Sequence, residues 1–247
     1  MIKKVAIIGL GNVGSFLAPR LKAAGLEVQV FSRKAVKGLS KSLEQYQGDF
    51  DLSLLCVPDD AIASLSGALA ISSGIVAHSS GTVSIEQIDP KHSERAIFYP
   101  LMSLKADADI PLTSIPFCFE ASSSLGAEYL SELGNRLALD FRFLNSKERA
   151  RIHLAAVISQ NFSNHLFHWA YQVLKEKHLD FNILKPLLME HLKGLGEVDP
   201  AIKQTGPAVR GDVSTQAKHL EQIKAAEYKD LYQRLSALIQ KTHEKEL

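Results

Sequence analysis

Cysteine is scarce in this chain of 247 residues: Cys56 and Cys118 are the only two. Each lies in an apolar stretch. That excludes a disulfide framework and a thiolate zinc site, and it predicts buried thiols in a reducing compartment. An excess of either charge is also missing. With 28 basic against 27 acidic residues, a general nucleic-acid binder and a protein held on an anionic membrane are excluded. No apolar run approaches the ~20 residues of a membrane span. Met1-Ile2-Lys3-Lys4 leads directly into an apolar run, leaving no room for a signal peptide. The expectation is a cytoplasmic protein with neither membrane nor nucleic acid as partner. Nine histidines lack the spacing of a zinc motif, so no metal is expected. The tail Glu244-Lys245-Glu246-Leu247 reads as a frayed helix end.

What is present begins at Val5. Four apolar residues, Val5 to Ile8, predict a strand buried on both faces. Gly9-Leu10-Gly11-Asn12-Val13-Gly14 follows, with the spacing G-x-G-x-x-G, and then a helical stretch to a Gly25 cap. Gly9 permits the tight turn, Gly11 the approach of a pyrophosphate, and Gly14 close packing of helix on sheet. The helix N-terminus offers free N–H groups to phosphates. The pattern predicts dinucleotide binding by Gly9, Leu10, Gly11, Asn12, Val13 and Gly14. A second strand, Glu27 to Phe31, ends without the carboxylate that would hold a ribose 2′-hydroxyl. Ser32, Arg33 and Lys34 stand there instead. A hydroxyl and two cations suit a 2′-phosphate, so the expected cofactor is NADP.

Further along, residues 36 to 47 suggest a short surface helix. Strands are expected at Asp51–Val57, Gly74–Ser79, Ala96–Tyr99, Ile115–Glu120 and Leu139–Phe143, with a helix over Leu125–Leu137. Asp59 or Asp60 is expected to cap a helix running to Leu69. The loops at Val57-Pro58 and at His78-Ser79-Ser80-Gly81-Thr82 should lie at the carboxyl edge of the sheet, beside the cofactor. From Lys147 to Leu174 a seven-turn helix is expected, with Ile152, Ala155, Ile158, Ser159, Phe162 and Leu166 on its apolar face. Helices should follow over Asn182–Lys193 and Thr215–His243. The fold class is therefore α/β: a Rossmann-type, mostly parallel sheet over residues 1–146, with an all-α domain over 147–247 for substrate binding and dimerisation.

Several short motifs occur in a fixed order. They are Val57-Pro58-Asp59-Asp60-Ala61-Ile62, His78-Ser79-Ser80-Gly81, Tyr99-Pro100-Leu101, His153-Leu154-Ala155-Ala156 with Asn161-Phe162, and Gly206-Pro207-Ala208-Val209-Arg210-Gly211-Asp212. In this the chain resembles a family of Rossmann-like oxidoreductases whose C-terminal helical domain is a domain of unknown function. That family is similar to pyrroline-5-carboxylate reductase and to deazaflavin-dependent NADP reductase, and more distantly to the 6-phosphogluconate dehydrogenase group. The resemblance implies an NADP-type cofactor and a homodimer joined through the helical domains. It implies no substrate. Hydroxyacid dehydrogenase relatives carry Lys-x-x-x-Asn on a helix; if Asn161 matches that asparagine, Val157 stands in the lysine position and the usual acid is missing.

Hydride transfer needs an acid/base group and a clamp for the substrate. His78, at a strand end beside the cofactor, is the first candidate for the former, against a histidine bonded to the next loop. Ser80 is expected at the nicotinamide or in its own turn. Asn161 suits orientation of a substrate, since its amide both donates and accepts. Arg210 suits clamping a carboxylate or phosphate, against an ion pair with Asp212, which can also cap the last helix. The function expected is an NADP-dependent oxidoreductase reducing a small carbonyl or imine compound between the domains. The alternatives are a non-catalytic NADP-binding sensor or regulatory dimer, and a structural dimer with a vestigial glycine loop.

Overall fold

The computed structural model describes residues 1–196 and 198–244; the expectation for the extreme tail, 245–247, lies outside them. The strands are β1 Lys4–Ile8, β2 Glu27–Ser32, β3 Lys41–Ser42, β4 Leu52–Leu55, β5 Ile75–His78, β6 Arg95–Pro100, β7 Pro116–Ala121 and β8 Asp140–Phe143. They form one sheet in the order β3-β2-β1-β4-β5-β6-β7-β8. The first six run parallel; β7 is antiparallel to β6, and β8 is parallel to β7. The α/β fold with its mostly parallel sheet is therefore present.

Strand pleating explains the core. Val5 and Ile7 point to one face and Ala6 and Ile8 to the other, and all four are buried. The first pair joins Phe16, Leu17, Leu54, Phe98 and Phe119. The second joins Phe31, Tyr46, Leu55 and Ile62. A strand apolar on both sides needs cover on both sides, which the βα connections supply.

The helices of the first part are α1 Asn12–Ala23, α2 Ile62–Ala68 and α3 Ser124–Arg136. Gly25 closes α1 at φ +83°, while the Leu26 N–H bonds back to the Leu21 carbonyl, a Schellman-type ending. Two expectations fail here. Residues 36–47 are not an α-helix: a bridge between Val36 and Ser40, strand β3 and a 3-10 turn at Leu43–Gln45 take their place. Asp59 and Asp60 do not cap α2 through their side chains; Asp59 is engaged elsewhere, as described below.

The later helices are α4 Ser146–Ala156, α5 Ser163–Lys175, α6 Lys185–Lys193, α7 Val213–Gln222 and α8 Ala226–Glu244. Between α4 and α5, Val157–Phe162 winds as a π-helix. The expected seven-turn helix is thus continuous in helical backbone but changes winding at its middle. The expected final helix is broken, since Ile223 adopts extended geometry after α7. The apolar face expected on the long helix is not buried: Ile158 is 53% and Phe162 58% exposed.

The chain divides into two compact units, Met1–Leu166 and Phe167–Leu247. The boundary between these units lies within α5, and Arg149 ties α4 to the sheet. Among the described residues of the second unit only Ala208 is buried.

Candidate functional site

The parallel register sets up the site. Phe31, Ile8, Leu55, His78 and Ile97 lie side by side across five strands. Just beyond that row the chain leaves β1, β2, β4 and β5, so Leu10, Arg33, Val57 and Ser80 lie in the loops that follow, while Tyr99 is still on β6. These mark the carboxyl edge where open α/β sheets bind ligands.

The three glycines of the first turn differ in what the chain itself demands of them. Gly9 has φ +118°, and a Cβ there would meet the Cys56 carbonyl oxygen at 2.2 Å and Val57 Cγ1 at 3.2 Å. A Cβ on Gly14 would meet the Gly9 carbonyl oxygen at 2.1 Å. At Gly11 the nearest atom would be 3.9 Å away, and its backbone (φ −72°, ψ −175°) suits any residue. Gly11 caps α1 without a side-chain bond, so Asn12, Val13 and Gly14 open the helix beside clear space. Packing explains two glycines and leaves the third as room for something outside the chain. A pyrophosphate fits that room and the N–H groups beneath it. Asn12 is exposed, Leu10 and Val13 are half-buried, and the Leu10 carbonyl accepts from Ser15 Oγ at 3.1 Å.

At the end of β2, Arg33 and Lys34 are exposed. Ser32 is already engaged. Its hydroxyl donates to the Lys34 carbonyl at 2.6 Å and pairs with Ser40 Oγ at 2.6 Å. Its hydroxyl proton is engaged within the loop that Arg33 and Lys34 begin. Val57 is half-buried against the glycine turn and Pro58 is exposed.

The β5 loop is held by its own polar groups. His78 is fully buried. Its Nδ1 accepts from the Ser80 N–H at 3.2 Å and its Nε2 faces the Ser84 carbonyl at 3.4 Å, which fixes the neutral tautomer with the proton on Nε2. Burial pushes its pKa down to about 4. Both nitrogens have partners within the loop, and burial disfavours the charged ring. Ser80 Oγ accepts from the Thr82 and Val83 N–H groups, each at 3.1 Å, closing its own turn. Thr82 Oγ1 donates to Asp59 Oδ2 at 2.7 Å, and this bond is what draws Asp59 from the helix cap.

Sequence reasoning missed a pair at the same edge. Tyr99 Oη, on β6, lies 3.1 Å from His153 Nδ1, on α4. Both are half-buried, and burial raises the Tyr99 pKa above its usual value. Gly81 packs against both: a Cβ there would meet His153 Nδ1 at 2.5 Å and Tyr99 Cζ at 2.8 Å. The signal was in the sequence, because Tyr99-Pro100 and His153 both stand in the motifs, but their meeting is a long-range contact that no local pattern reveals.

Arg149, one turn before His153, anchors this face. It is fully buried and pairs with Glu120 on β7 and with the Val83 carbonyl. Ser146 Oγ donates into the same carboxylate, 2.8 Å from Oε2. Asn161 lies exposed in the π-helical turn, and its neighbour Gln160 accepts from Ser103 Oγ at 3.1 Å. In the second unit, Arg210 is exposed and makes no ion pair with Asp212 among the described residues. Asp212 instead caps α7, accepting from the Thr215 N–H at 3.0 Å and from its Oγ1 at 2.7 Å. Those bonds, the backbone one first, lower its pKa. Among the described residues no group of three or more His, Cys, Asp or Glu side chains is placed to hold a metal, and no helix is long and apolar enough to cross a membrane.

The glycine turn, parallel register and strand order define a Rossmann-like α/β fold. The chain belongs to the family described as domain of unknown function DUF2520, whose model matches residues 115–239. The match begins ahead of β7, so it includes the last two strands of the sheet as well as helices. A Bacteroides fragilis protein described as a candidate NADP oxidoreductase is 28% identical, with a TM-score of 0.88 over 97% of this chain and 98% of that one. A Thermotoga maritima protein is 22% identical, with a TM-score of 0.71 over 98% and 99% of the two chains. An Aspergillus terreus reductive aminase in complex with NADPH is 18% identical, with a TM-score of 0.71 over 99% and 95%. Comparison with curated proteins by sequence finds no match.

Proposed function

We propose that this chain is an NADP-dependent oxidoreductase that reduces a small carbonyl or imine compound. One observation carries the reading: Gly11 is a glycine that neither backbone strain nor packing requires, at the mouth of a helix in the motif where a diphosphate sits. The description of the 28%-identical relative supports it. So do Arg33 and Lys34, two exposed cations at the end of β2 where NAD sites carry a carboxylate. When bound, the reduced nicotinamide supplies a hydride. In this reading Gly9, Leu10, Gly11, Asn12, Val13 and Gly14 hold the diphosphate, and Arg33 with Lys34 holds the 2′-phosphate. Val57, Pro58 and Ser80 border the cofactor, His78 positions the β5 loop, Asn161 is the substrate-orienting candidate of the first unit, and Arg210 is the anion-clamping candidate of the second.

Arg33→Ala tests the cofactor assignment. Charge-assisted phosphate contacts contribute about 1.5–3 kcal/mol, so NADPH affinity should fall roughly tenfold or more while NADH affinity stays unchanged. Equal loss for both would remove Arg33 from that role. NADPH oxidation across a panel of small ketones, aldehydes and cyclic imines tests the reaction. Saturable binding with no turnover across the panel would favour the sensor reading.

The homodimer belongs to the same proposal. In the second unit Ile183, Leu187, Ile202 and Val213 are 74%, 68%, 71% and 74% exposed. A helical unit with this much apolar surface and almost no buried interior needs a partner surface, and a second copy of the chain, offering the same faces, supplies one.

A further inference from the structure

We propose that Tyr99, paired with His153, delivers the proton in the reduction, with Tyr99 as the catalytic acid and His153 as its positioning and recharging partner. The inference rests on the reductase reading above and adds the residue that reading lacks.

Placement comes first. With the 2′-phosphate on the β2 side of the glycine turn, the nicotinamide end lies on the other side, over β4, β5 and β6. Strands are spaced about 4.8 Å apart, so β6 lies on the order of 14 Å from β1, a span suited to the ribosyl-nicotinamide half and a small substrate. Tyr99 lies two residues beyond Ile97, the β6 partner of His78, at the carboxyl end of β6 and against Gly81 of the β5 loop.

Elimination comes second. Of the polar side chains in the β5 loop and at its border, His78 uses both nitrogens, Ser79 Oγ donates to the Leu55 carbonyl at 3.4 Å, Ser80 Oγ accepts twice from its own turn and lies 3.5 Å from Thr82 Oγ1, and Thr82 gives its proton to Asp59. Among the described residues, Tyr99 Oη has one partner, His153 Nδ1. A phenol can donate one hydrogen bond and accept another, so with His153 donating to it the Tyr99 proton is available to a substrate atom.

Construction comes third. The pair joins β6 to α4 and is shaped by Gly81 of the β5 loop, where a Cβ would drive His153 and Tyr99 apart. Arg149, one turn earlier on the same helix, locks α4 to β7 and to the Val83 carbonyl. Three chain segments therefore fix one hydrogen bond, as acid catalysis requires of its donor.

The step balances as follows. The carbon of the C=N or C=O bond gains the hydride, and the π-electron pair moves to the nitrogen or oxygen. That atom forms a bond to the Tyr99 hydroxyl proton as the Oη–H bond breaks. The phenolate then takes the proton on His153 Nδ1 as Nε2 of the same ring takes one from solvent, so the imidazole stays neutral.

Four variants test this: Tyr99→Phe, His153→Ala, His153→Gln and Gly81→Ala. Each is compared with the parent chain for NADPH affinity, turnover on a substrate that the parent reduces, and imidazole ¹⁵N spectra of the ligand-free protein. A positioned acid contributes about 10²–10⁴-fold. Tyr99→Phe should therefore lower kcat by about 100-fold or more, with NADPH affinity intact, and should shift the His153 Nδ1 signal. Gly81→Ala should reproduce both effects through the lost pair. His153→Gln, which keeps a donor, should recover part of the kcat lost in His153→Ala. Parent-like kcat in Tyr99→Phe, or an unmoved Nδ1 signal, would overturn the proposal. A parent chain that binds NADPH but turns nothing over fails the reductase reading, and the proposal falls with it; that failure is visible in the parent, not in the variant.

Discussion

Glycine at position 9 and glycine at position 11 look equivalent in the motif, yet the structure asks different things of them. Gly9→Ala sets a Cβ 2.2 Å from the Cys56 carbonyl oxygen at φ +118°. It should destabilise the fold by at least about 1–3 kcal/mol, measurable by urea denaturation. His78 gives a second residue-scale expectation. Its pKa is about 4 in the folded protein against about 6.5 when unfolded. The unfolded chain binds the extra proton between those values, so the His78 contribution is full above pH 6.5 and is lost as pH falls through 4. The contribution at neutrality is about 3 kcal/mol. Denaturation of His78→Gln at pH 7, 5.5 and 4 should show a dependence on pH flatter by that amount. Cys56, with burial pushing its thiol up to about 12, should stay unmodified by thiol reagents at pH 8 in the native state. Burial of both cysteines was legible from their apolar flanks. The engagement of His78 was not, because a strand-end histidine looks the same whether its nitrogens face solvent or a carbonyl.

Among the elements, strands were easier to read than the helices after residue 146. A strand buried on both faces leaves a continuous apolar run such as Val5–Ile8, and βα punctuation marks its ends. The tertiary choices between elements left no such trace. The 36–47 segment carries helix-compatible residues, yet Lys41–Ser42 pairs with Phe31–Ser32 and a single bridge closes the loop before it. The π-helical turn at Val157–Phe162, which holds Asn161, is invisible to periodicity. Val157 leaves that turn without an ionisable group in the lysine position, and His153 stands one turn earlier, bonded to Tyr99. The anchoring of α4 is also testable. Arg149 is fully buried with Glu120 as its charge partner. Arg149→Met strands that carboxylate, and breaking such a pair costs about 3–5 kcal/mol. Replacing both partners, as in Arg149→Met with Glu120→Leu, should recover much of the loss. Equal losses in the single and double variants would mean that packing, not charge pairing, holds α4.

At the scale of the whole molecule, the two compact units have unequal interiors. The first buries two apolar clusters on a single sheet. The second keeps Ile183, Leu187, Ile202 and Val213 mostly exposed, which points to a second chain as cover. Light scattering should therefore give about twice the 27.1 kDa of one chain, and Leu187→Glu with Ile202→Glu should shift it toward the single-chain mass. The turn at Gly11 and the nucleotide it is read to hold bear on everything proposed for function. The decisive measurement is calorimetric titration of NADPH into the parent chain and into Gly11→Ala, with denaturation of both alongside. The parent should give a saturable isotherm and Gly11→Ala an affinity at least roughly tenfold weaker (about 1.4 kcal/mol) with unchanged stability, since the added methyl meets nothing nearer than 3.9 Å. No saturable binding by the parent, or equal affinity in the two proteins, would contradict the nucleotide reading.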